Sequence, residues 1–380
     1  MEKPRFHAMA LLLEAAEISS LNGKPAAVGA FNVNFFTQAE GILEGLRRAD
    51  APGIIQASKG ANKFQGGPDK IAYMIRKAME KTKHRLPVAL HLDHGDMEKA
   101  KECVDNGYSS VMIDASNMDY EENLSSTRDI VKYAHKKGVS VEGEYGKLEG
   151  VEEDVVHERT TYADPFMVPN FFNKTGADAL AVAYGTSHGP NKGAGIQKLA
   201  IPIVESSYRG LQAYRLNLKH FLVGHGSSTV PPDLVAEINN YGGSIAETHG
   251  VPMDKIKAAI VGGIRKVNID TDLRLGITAT FRKYFHDHPG AEKPSKSLMS
   301  IKQALDANPS VIDPRDYLGA LDKSLLREDP KGTDLEEVME MLKERIASHV
   351  EMLANEFGSV GLGLEVRNIP LEEMAKVYKD

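Results

Sequence analysis

The stretch PVALHLDHGDMEKAKECVDNGYSSVMIDAS, residues 87–116, contains the unit from which most of the chain is built. A run of apolar and alternating residues (87–94) is followed by a charged, helix-forming segment that ends in Gly107. A second run of β-forming residues (109–116) comes directly after that segment. Short apolar runs that alternate with helices are typical of parallel strands joined by crossover helices, and glycine is a common residue at a helix C-terminus.

The same alternation recurs from the N-terminal region to about residue 270. Eight runs have strand character, and they occupy residues 26–33, 53–58, 87–94, 109–116, 139–146, 177–185, 220–226 and 264–270. Eight strand–helix units favour a closed barrel over an open sheet. We therefore predict an α/β fold, a single (β/α)8 TIM barrel with a C-terminal helical extension.

The regular pattern ends near residue 285, and the remaining chain has a different character. A polar segment with proline and glycine (286–297) predicts a loop, and it is followed by a short helix (301–307) and a long charged helix (333–356). We predict that residues 1–285 form the barrel. Residues 286–380 are expected to form an extension that packs on the barrel and on a neighbouring subunit.

Composition excludes several classes of function. The chain has 46 Lys and Arg against 53 Asp and Glu, a net charge of −7, and no basic cluster, which argues against nucleic acid or a membrane surface as partner. The single Cys103 excludes a disulfide framework and suits a reducing, cytoplasmic location. The N-terminal segment is interrupted by Glu14 and Glu17, and it predicts an amphipathic helix rather than a secretory signal.

Three histidines occupy the same position in three strand–helix units. His94, His188 and His225 each follow an apolar run and precede a glycine, at the predicted C-terminal end of a strand. Active sites of barrels are built at that end, and three imidazoles with an open fourth position form a catalytic zinc site. The alternative is that each histidine is an ordinary loop or capping residue. That explanation is favoured for a single histidine but not for three in the same position of three units.

Carboxylates accompany these histidines. Asp93 precedes His94 and is a candidate general acid/base, or else a partner that orients a histidine. Glu142 and Glu144 are two residues apart and share one face of their strand, where burial requires a metal or histidine partner. The acidic run 152–154 after Gly150 is either a lid that brings a base over the substrate or a solvated charged loop.

The end of the eighth predicted strand combines features of a phosphate site. Asn268 and Asp270 share one face, and Thr271 opens the next helix, whose free N–H groups favour phosphate. The segment HGSS (225–228) follows the seventh strand, and loops after strands seven and eight often form the phosphate site of a barrel. Thr271 is also explained as an ordinary helix N-cap, and both roles can hold together.

The chain resembles the class II, metal-dependent fructose-bisphosphate aldolases through an ordered set of motifs from about residue 8 to about residue 320. These motifs are HLDHG (91–95), YADP (162–165), TGADALAVAYGTSHGPNKG (175–193), GHGSS (224–228), KVNIDTD (266–272) and DPRDYLG (313–319). The resemblance implies zinc-dependent, reversible cleavage of fructose 1,6-bisphosphate to dihydroxyacetone phosphate and glyceraldehyde 3-phosphate, in glycolysis and gluconeogenesis. Tagatose-bisphosphate aldolases share the same motifs.

The resemblance also implies roles for individual residues. The catalytic zinc ligands are His94, His188 and His225, with Glu144 near an alternative metal position. The proton-transferring and stabilising groups are Asp93 at the C4 oxygen, Glu152 (with Glu153 as the neighbouring alternative) at the ketone half, and the amide of Asn268 at the enediolate. The substrate contacts are Asn32 and Ser58, and the region for phosphate and a monovalent cation (Na+ or K+) contains Gly189, Lys192, Gly226, Ser228, Asp270 and Thr271. Arg315 corresponds to an arginine lent by a neighbouring subunit to the distal phosphate, which implies a homo-oligomer, a dimer or a tetramer.

Several alternatives stay open from the sequence. A lysine Schiff base would use Lys266 or Lys59 in place of a metal. Cobalt or iron could replace zinc, and tagatose or sedoheptulose bisphosphate could replace the fructose substrate. A metal-dependent hydrolase would need His-x-His on the first strand, which reads AFNVNF (30–35). A non-catalytic barrel could lose site residues freely, whereas every expected polar position is filled.

Overall fold

The structure is a computed structural model, and it describes residues 4–147, 149–152, 155–157, 161–188 and 199–379. The strands in chain order are β1 Val28–Asn32, β2 Gly53–Ser58, β3 Val88–Gly95, β4 Ser110–Ile113, β5 Ser140–Tyr145, β6 Glu149–Glu152, β7 Val155–His157, β8 Ala179–Val182, β9 Ser187–His188, β10 Phe221–Gly224 and β11 Ile264–Ile269. The helices up to the last barrel strand are α1 Met9–Leu21, α2 Phe36–Arg48, α3 Lys59–Gln65, α4 Pro68–Lys81, α5 Met97–Asp105, α6 Tyr120–His135, α7 Val168–Thr175, α8 Ile201–Ala213, α9 Pro232–Asn240 and α10 Met253–Gly262. The later helices are α11 Thr271–Asp287, α12 Lys296–Ala307, α13 Pro314–Leu318, α14 Lys323–Arg327, α15 Glu336–Glu356, a 3-10 turn Leu362–Leu364 and α16 Leu371–Val377.

Eight strands close into a barrel in the order β1-β11-β10-β8-β5-β4-β3-β2. Every neighbouring pair in this ring is parallel, so the barrel strands follow one another in chain order and the last strand closes on the first. Each barrel strand falls within one of the predicted runs, apart from a one-residue extension of β3. The predicted TIM barrel is therefore confirmed.

Helix α1 closes the N-terminal end of the barrel. Its residues Met9 and Leu12 pack with Val28 and Ile54, which point into the barrel near the starts of their strands. The helix is predicted correctly, but its polar and apolar residues do not separate cleanly into two faces, because Glu17 is buried while Ile18 and Leu21 are exposed. The physical reason is that the barrel lies on one side of α1 and the C-terminal segment packs on the same cluster.

The C-terminal extension packs against the outside of the barrel through α15. Gly41 and Gly45 of α2 face Ile346 and Val350 of α15, and a Cβ on either glycine would lie within 2.7 Å of the opposing helix. The predicted long helix starts three residues later than expected, as α15 (Glu336–Glu356), and the short one starts five residues earlier, at Lys296. No helix among the described residues is both long and apolar enough to span a membrane.

Candidate active site

The mouth of the barrel is polar because the inward-facing residues change in character along the strands. In β3, Ala89 lies near the N-terminal end, and His91 and Asp93 follow at intervals of two. In β11, Lys266 and Asn268 have the same spacing, and all five side chains are buried. Since alternate residues of a strand face the same side, the strands carry polar groups to the C-terminal end, where active sites of barrels lie.

Asp93 lies in this mouth between two asparagine side chains. Nδ2 of Asn32 donates a hydrogen bond to Oδ2 of Asp93 at 2.8 Å, and Nδ2 of Asn268 donates to Oδ1 at 3.2 Å. Gln56 in turn donates to Oδ1 of Asn32 at 2.6 Å. The structure therefore brings together three residues that the sequence singled out, and two donated hydrogen bonds fix the orientation of the Asp93 carboxylate.

A break in the register of β3 lets two neighbouring side chains reach the mouth. The pairing of β3 with β4 shifts between Leu92 and Gly95, and the φ angle of His94 is 49°, in the left-handed region that residues other than glycine rarely adopt. A regular strand would point Asp93 and His94 to opposite faces. A backbone strained in this way costs about 1–3 kcal/mol and is found preferentially at functional sites.

His94 and His225 form a close pair whose outer nitrogens are held by carboxylates. Nε2 of His94 lies 3.1 Å from Nδ1 of His225. Nδ1 of His94 is 3.0 Å from Asp114, and Nε2 of His225 is 2.7 Å from Glu142. Carboxylates in this position orient metal-binding histidines and increase their basicity. Glu144 also borders the pair, at 3.7 Å from His94 and 3.8 Å from His225.

The charges of these groups suit a metal site. Burial lowers the pKa of His225, and its hydrogen bond to Glu142 offsets this only in part, so the imidazole is neutral at pH 7. Burial raises the pKa of Asp114, but the hydrogen bond and charge of His94 together with hydrogen bonds from Ser116 outweigh it and hold that pKa well below the usual range. Burial likewise raises the pKa of Glu142, but the charge of Lys266, the hydrogen bond with His225 and the charges of the neighbouring histidines together more than reverse the effect. Metal binding requires neutral imidazoles and ionised carboxylates.

The donor atoms also fit a divalent metal ion by distance. Among the described residues, donor atoms of Asp93, His94 and His225 lie within 4.8 Å of one another, as do those of His94, Asp114 and Glu144. Two nitrogen ligands bound at about 2.05 Å to a tetrahedral ion lie roughly 3.3 Å apart. The 3.1 Å separation between His94 and His225 is close to that value.

The two lysines that could form a Schiff base have other partners. Nζ of Lys266 is fully buried in the barrel, donates to Glu142 at 2.8 Å and lies 3.3 Å from Nε2 of His91. His91 is thus an interior residue of the barrel, as the sequence indicated. Nζ of Lys59 pairs with Asp96 at 2.8 Å on the surface. An ammonium group bound to a carboxylate is a poor nucleophile, so these contacts disfavour the lysine route.

Four of the residues predicted to bind phosphate meet where β10 and β11 end: Gly226, Ser228, Asp270 and Thr271. Oγ of Ser228 accepts hydrogen bonds from the backbone N–H groups of Asp270 and Thr271, both at 3.1 Å. Gly226 has a φ of 59°, and a Cβ there would lie 2.5 Å from the carbonyl oxygen of Ser187, so the close approach of these loops requires glycine.

Arg315 lies beside this region within its own chain. Its backbone N–H and guanidinium group donate to Asp313 at 2.7–3.0 Å. Arg274 bridges Asp313, at 2.6 Å, and Asp270, at 2.9 Å. A chain of ion pairs therefore connects Arg315 with the end of β11.

Ser58 lies at the same level of the barrel as Asp93. The two residues are paired in the register of β2 and β3. Oγ of Ser58 accepts a hydrogen bond from the N–H of Ala61 at 3.1 Å and so caps α3. The cap orients the Ser58 side chain at the end of β2.

Several predicted residues lie outside the described part of the chain. They are Glu153, Gly189 and Lys192, together with the side chains of Glu152 and His188. The backbones around them are nevertheless connected, because β6 pairs with β9 in a small sheet of order β7-β6-β9. The segment predicted to supply a base thus pairs with the segment predicted to supply the third histidine.

Sequence reasoning missed Asp114 and Gln56, and it considered Lys266 only as the lysine of an alternative Schiff-base route. Asp114 follows β4 directly, at the strand end where active-site residues of barrels cluster, and this position was a usable signal. Gln56 and Lys266 lie inside two different strands, where the period-two pattern shows only which side of its own strand each residue faces. Their partners come from other strands, so no local pattern identifies them.

The sequence matches the family described as "Fructose-bisphosphate aldolase class-II" over residues 18–362. The chain belongs to this family. The resemblance inferred from the motifs is confirmed, and the match continues beyond residue 320 into the C-terminal extension.

Relatives of this class II aldolase chain are similar over most of its length. It is 39% identical over 359 residues to the fructose-bisphosphate aldolase of Giardia intestinalis. This alignment covers 93% of this chain and 94% of the relative. It is 37% identical over 337 residues to the fructose-bisphosphate aldolase of Thermus caldophilus. This alignment covers 88% of this chain and 93% of the relative.

Solved structures share the fold. The YdjI aldolase from Escherichia coli K12 has a TM-score of 0.62 at 23% identity and covers 93% of this chain and 98% of its own. The fructose-bisphosphate aldolase from Campylobacter jejuni has a TM-score of 0.64 at 20% identity and covers 95% and 97%.

Proposed function

We propose that this protein is a metal-dependent aldolase that reversibly cleaves fructose 1,6-bisphosphate into dihydroxyacetone phosphate and glyceraldehyde 3-phosphate. One observation supports this above all. In a chain of the class II family, His94 and His225 approach to 3.1 Å beside the carboxylate of Asp93. A step in glycolysis and gluconeogenesis, in the cytoplasm, fits this activity.

The ligands proposed for the metal are His94, His188 and His225, with Glu144 adjacent. A divalent ion bound there supplies Lewis-acid polarisation of the substrate's ketone oxygen. Zinc suits imidazole ligands with an open position, and imidazole also accepts cobalt and iron. Elemental analysis of the purified protein distinguishes these metals.

The side chains of the site transfer the protons. In cleavage, Asp93 removes the proton of the C4 hydroxyl, and its hydrogen bonds from Asn32 and Asn268 orient it for this task. The second amide N–H of Asn268 donates to the oxygen on which negative charge develops. Glu152 carries the proton to and from the carbon of the ketone half.

Groups remote from the reacting carbons position the substrate. Ser58 and the region of Gly189, Lys192, Gly226, Ser228, Asp270 and Thr271 bind one end of the substrate, where a monovalent cation (Na+ or K+) also binds. Binding energy at the phosphates orients the carbons that react. Initial rates in potassium, sodium and choline chloride at equal ionic strength test the role of the cation.

Chelation tests the proposed chemistry. EDTA should abolish cleavage, and added zinc should restore it, because the reaction then depends on the polarising metal. Activity that survives chelation but is lost on borohydride treatment with substrate would instead identify a lysine Schiff base at Lys266 or Lys59. Rates on fructose, tagatose and sedoheptulose bisphosphates identify the preferred substrate.

Arg315 is proposed to act on the distal phosphate of a neighbouring subunit in a homo-oligomer. The test is to co-express Asp93→Ala and Arg315→Ala chains, each of which is inactive alone. If the arginine is shared, the mixed oligomer contains sites with both residues intact and regains activity. If Arg315 serves its own chain, where it pairs with Asp313, the mixture stays inactive.

A further inference from the structure

The segment between β1 and α2 (residues 33–35), here called the β1–α2 turn, is surrounded by buried amide side chains. Gln38 of α2 and Gln65 at the end of α3 are fully buried, and Asn34 of the turn itself is buried as well. A polar amide is stable in such surroundings only when its hydrogen bonds are satisfied. An apolar side chain would fill the same space without that requirement, so the partners of these amides indicate what they do.

Gln38 binds the backbone on both sides of the β1–α2 turn. Its Nε2 donates to the carbonyl oxygen of Asn32 at 2.7 Å, and its Oε1 accepts from the backbone N–H of Asn34 at 2.8 Å. A carbonyl oxygen can only accept and an N–H group can only donate, so these two partners fix which way the Gln38 amide points. The N-cap residue of α2, Phe35, makes no capping hydrogen bond with its side chain. Gln38 therefore holds the start of its own helix and the end of β1 together.

Gln65 connects the same turn to the C-terminal extension. Its Nε2 donates to the carbonyl oxygen of Asn34 at 2.6 Å. On the other side, Nε of Arg327 in α14 donates to Oε1 of Gln65 at 3.0 Å, and Nη2 donates to the carbonyl oxygen of Gln65 at 2.8 Å. Because a guanidinium group can only donate, the orientation of the Gln65 amide is fixed as well. An arginine of the extension is therefore linked to the turn through one buried glutamine.

Asn32 connects the turn with Asp93. Its Nδ2 donates to Oδ2 of Asp93 at 2.8 Å, and its Oδ1 accepts from Gln56 at 2.6 Å. The backbone N–H of Val33 donates to the carbonyl oxygen of Gln56 at 2.9 Å. Since Gln38 holds the backbone of Asn32, a displacement of the turn would move the amide that orients the Asp93 carboxylate. Buried hydrogen bonds connected in this way strengthen one another.

We propose that Gln38 and Gln65 are positioning residues, which hold the β1–α2 turn so that Asn32 keeps the Asp93 carboxylate in the orientation needed for proton transfer. This inference rests on the proposed role of Asp93 as general base. Proton transfer requires close and well-aligned contact, and a displacement of about 1 Å can lower a rate about a hundredfold. Both glutamines act through other residues, so their loss should lower kcat more than it changes KM.

Steady-state kinetics of four variants tests this proposal. Gln38→Met and Gln65→Met remove both hydrogen bonds of the amide, and each should lower kcat about tenfold or more while KM and metal content stay unchanged. Gln65→Glu keeps an acceptor for Arg327, which keeps it ionised, but has no donor for Asn34, so it should lower kcat as Gln65→Met does. Tyr208→Phe is the control, because it removes a hydrogen bond of 2.6 Å to a buried carboxylate of α1 at the other end of the barrel. It should leave kcat unchanged.

A double-mutant comparison separates positioning from general stability. If Gln38 acts through Asn32, Gln38→Met should have little further effect on kcat in a chain that already carries Asn32→Ala. A loss of stability alone would lower kcat equally in both backgrounds. Independent effects of the two changes, which multiply in kcat, would therefore overturn the proposal. A kcat in Gln65→Glu equal to that of the unaltered enzyme would also overturn it.

Crystal structures of the unaltered protein and of Gln38→Met, both without substrate, provide a readout that needs no turnover. In the variant, the amide of Asn32 should move away from Oδ2 of Asp93, to which it donates at 2.8 Å in the unaltered chain. Unchanged positions of Asn32 and Asp93 would contradict the proposal. A lack of cleavage by the unaltered protein would instead contradict the proposed function, so the two failures are distinguishable.

Discussion

At the scale of single residues, the active site depends on one irregular position in β3. The left-handed backbone of His94 and the register shift beside it place adjacent side chains on one side of the strand. As a result Asp93 contacts the two asparagines while His94 contacts His225. The proposed proton-transferring carboxylate and a proposed metal ligand thus come from consecutive residues.

Asp93 and Asp114 should have separable effects. Asp93→Ala is expected to lower kcat by about a hundredfold or more, because it removes the proposed general base, while metal content stays unchanged. Asp114→Ala is expected to weaken metal affinity by about 10–100-fold. The reason is that Asp114 contacts Nδ1 of His94 and so orients the ring, whose Nε2 faces His225. Steady-state kinetics and metal analysis of both variants check this contrast. If Asp93→Ala releases the metal instead, Asp93 belongs to the ligand set.

The buried His84 should make stability depend on pH. Its pKa in the folded protein is about 4, below the ordinary value of 6.5, so the unfolded chain takes up the proton first as the pH falls. The free energy of unfolding should therefore decrease between pH 6.5 and pH 4 by about 3 kcal/mol from this group. Above pH 6.5 the group contributes no pH dependence.

Urea titrations at several pH values measure this contribution. His84→Gln should flatten the decrease, since glutamine does not titrate in this range. His249→Gln, at an exposed histidine of the loop before α10, is the matched control and should leave the decrease in place. Parallel stability curves for His84→Gln and the unaltered protein would contradict the assignment.

At the scale of elements, the C-terminal helix α16 is docked at one glycine. Gly138 has a φ of 73°, and a Cβ on it would lie 1.8 Å from the carbonyl oxygen of Leu371. Just beyond α16, the ring of Tyr378 stacks on His135 with centroids 3.6 Å apart. The hydroxyl of Tyr378 also reaches Ser140 at 3.2 Å. The end of α6 and the start of β5 therefore form the surface against which the C-terminal helix packs.

Gly138→Ala should displace this helix. Gly23 provides the control, because its φ of 79° imposes the same backbone strain while nothing lies within 4 Å of the Cβ position. Both alanines should cost about 1–2 kcal/mol of left-handed strain, but only Gly138→Ala should increase hydrogen exchange of residues 371–378. Equal exchange in the two variants would show that α16 does not depend on the close approach.

At the scale of the whole molecule, barrel and extension share one core. The cluster that contains Ile42 and Leu46 of α2 also contains Ile346 and Val350 of α15. Arg345 of α15 additionally forms a bidentate pair with Glu237 of α9 at 2.7 Å. A continuous apolar core favours a single cooperative unfolding transition over separate unfolding of the extension.

Gly45→Ala should destabilise this junction. Its Cβ would lie 2.5 Å from the carbonyl oxygen of Ala347, and overpacking of this kind costs about 1–3 kcal/mol. Gly276→Ala is the control, because that helical glycine also faces α15 but has 3.6 Å to Arg345, so alanine should be neutral or stabilising by up to about 1 kcal/mol. Thermal unfolding followed by circular dichroism measures both, and a separate early transition in Gly45→Ala would contradict the shared core.

The sequence by itself determined the barrel, its eight strands and the family. These features depend on local patterns, since strand–helix alternation and strand-end motifs lie within short stretches of chain. The same patterns singled out Asp93, His94, His225 and Asn268, because period-two alternation and position at strand ends select inward-facing residues at the mouth.

Only the tertiary structure decided which groups meet. Asp114 contacts His94 from the end of another strand, Lys266 donates to Glu142 across the barrel, and Arg274 donates to Asp313. The burial of Glu17 in α1 likewise depends on residues far apart in sequence, because Tyr208 and Arg265 donate hydrogen bonds to its carboxylate. The physical reason is that barrel closure brings together residues that no local pattern relates, and their mutual distances then set charge, orientation and binding.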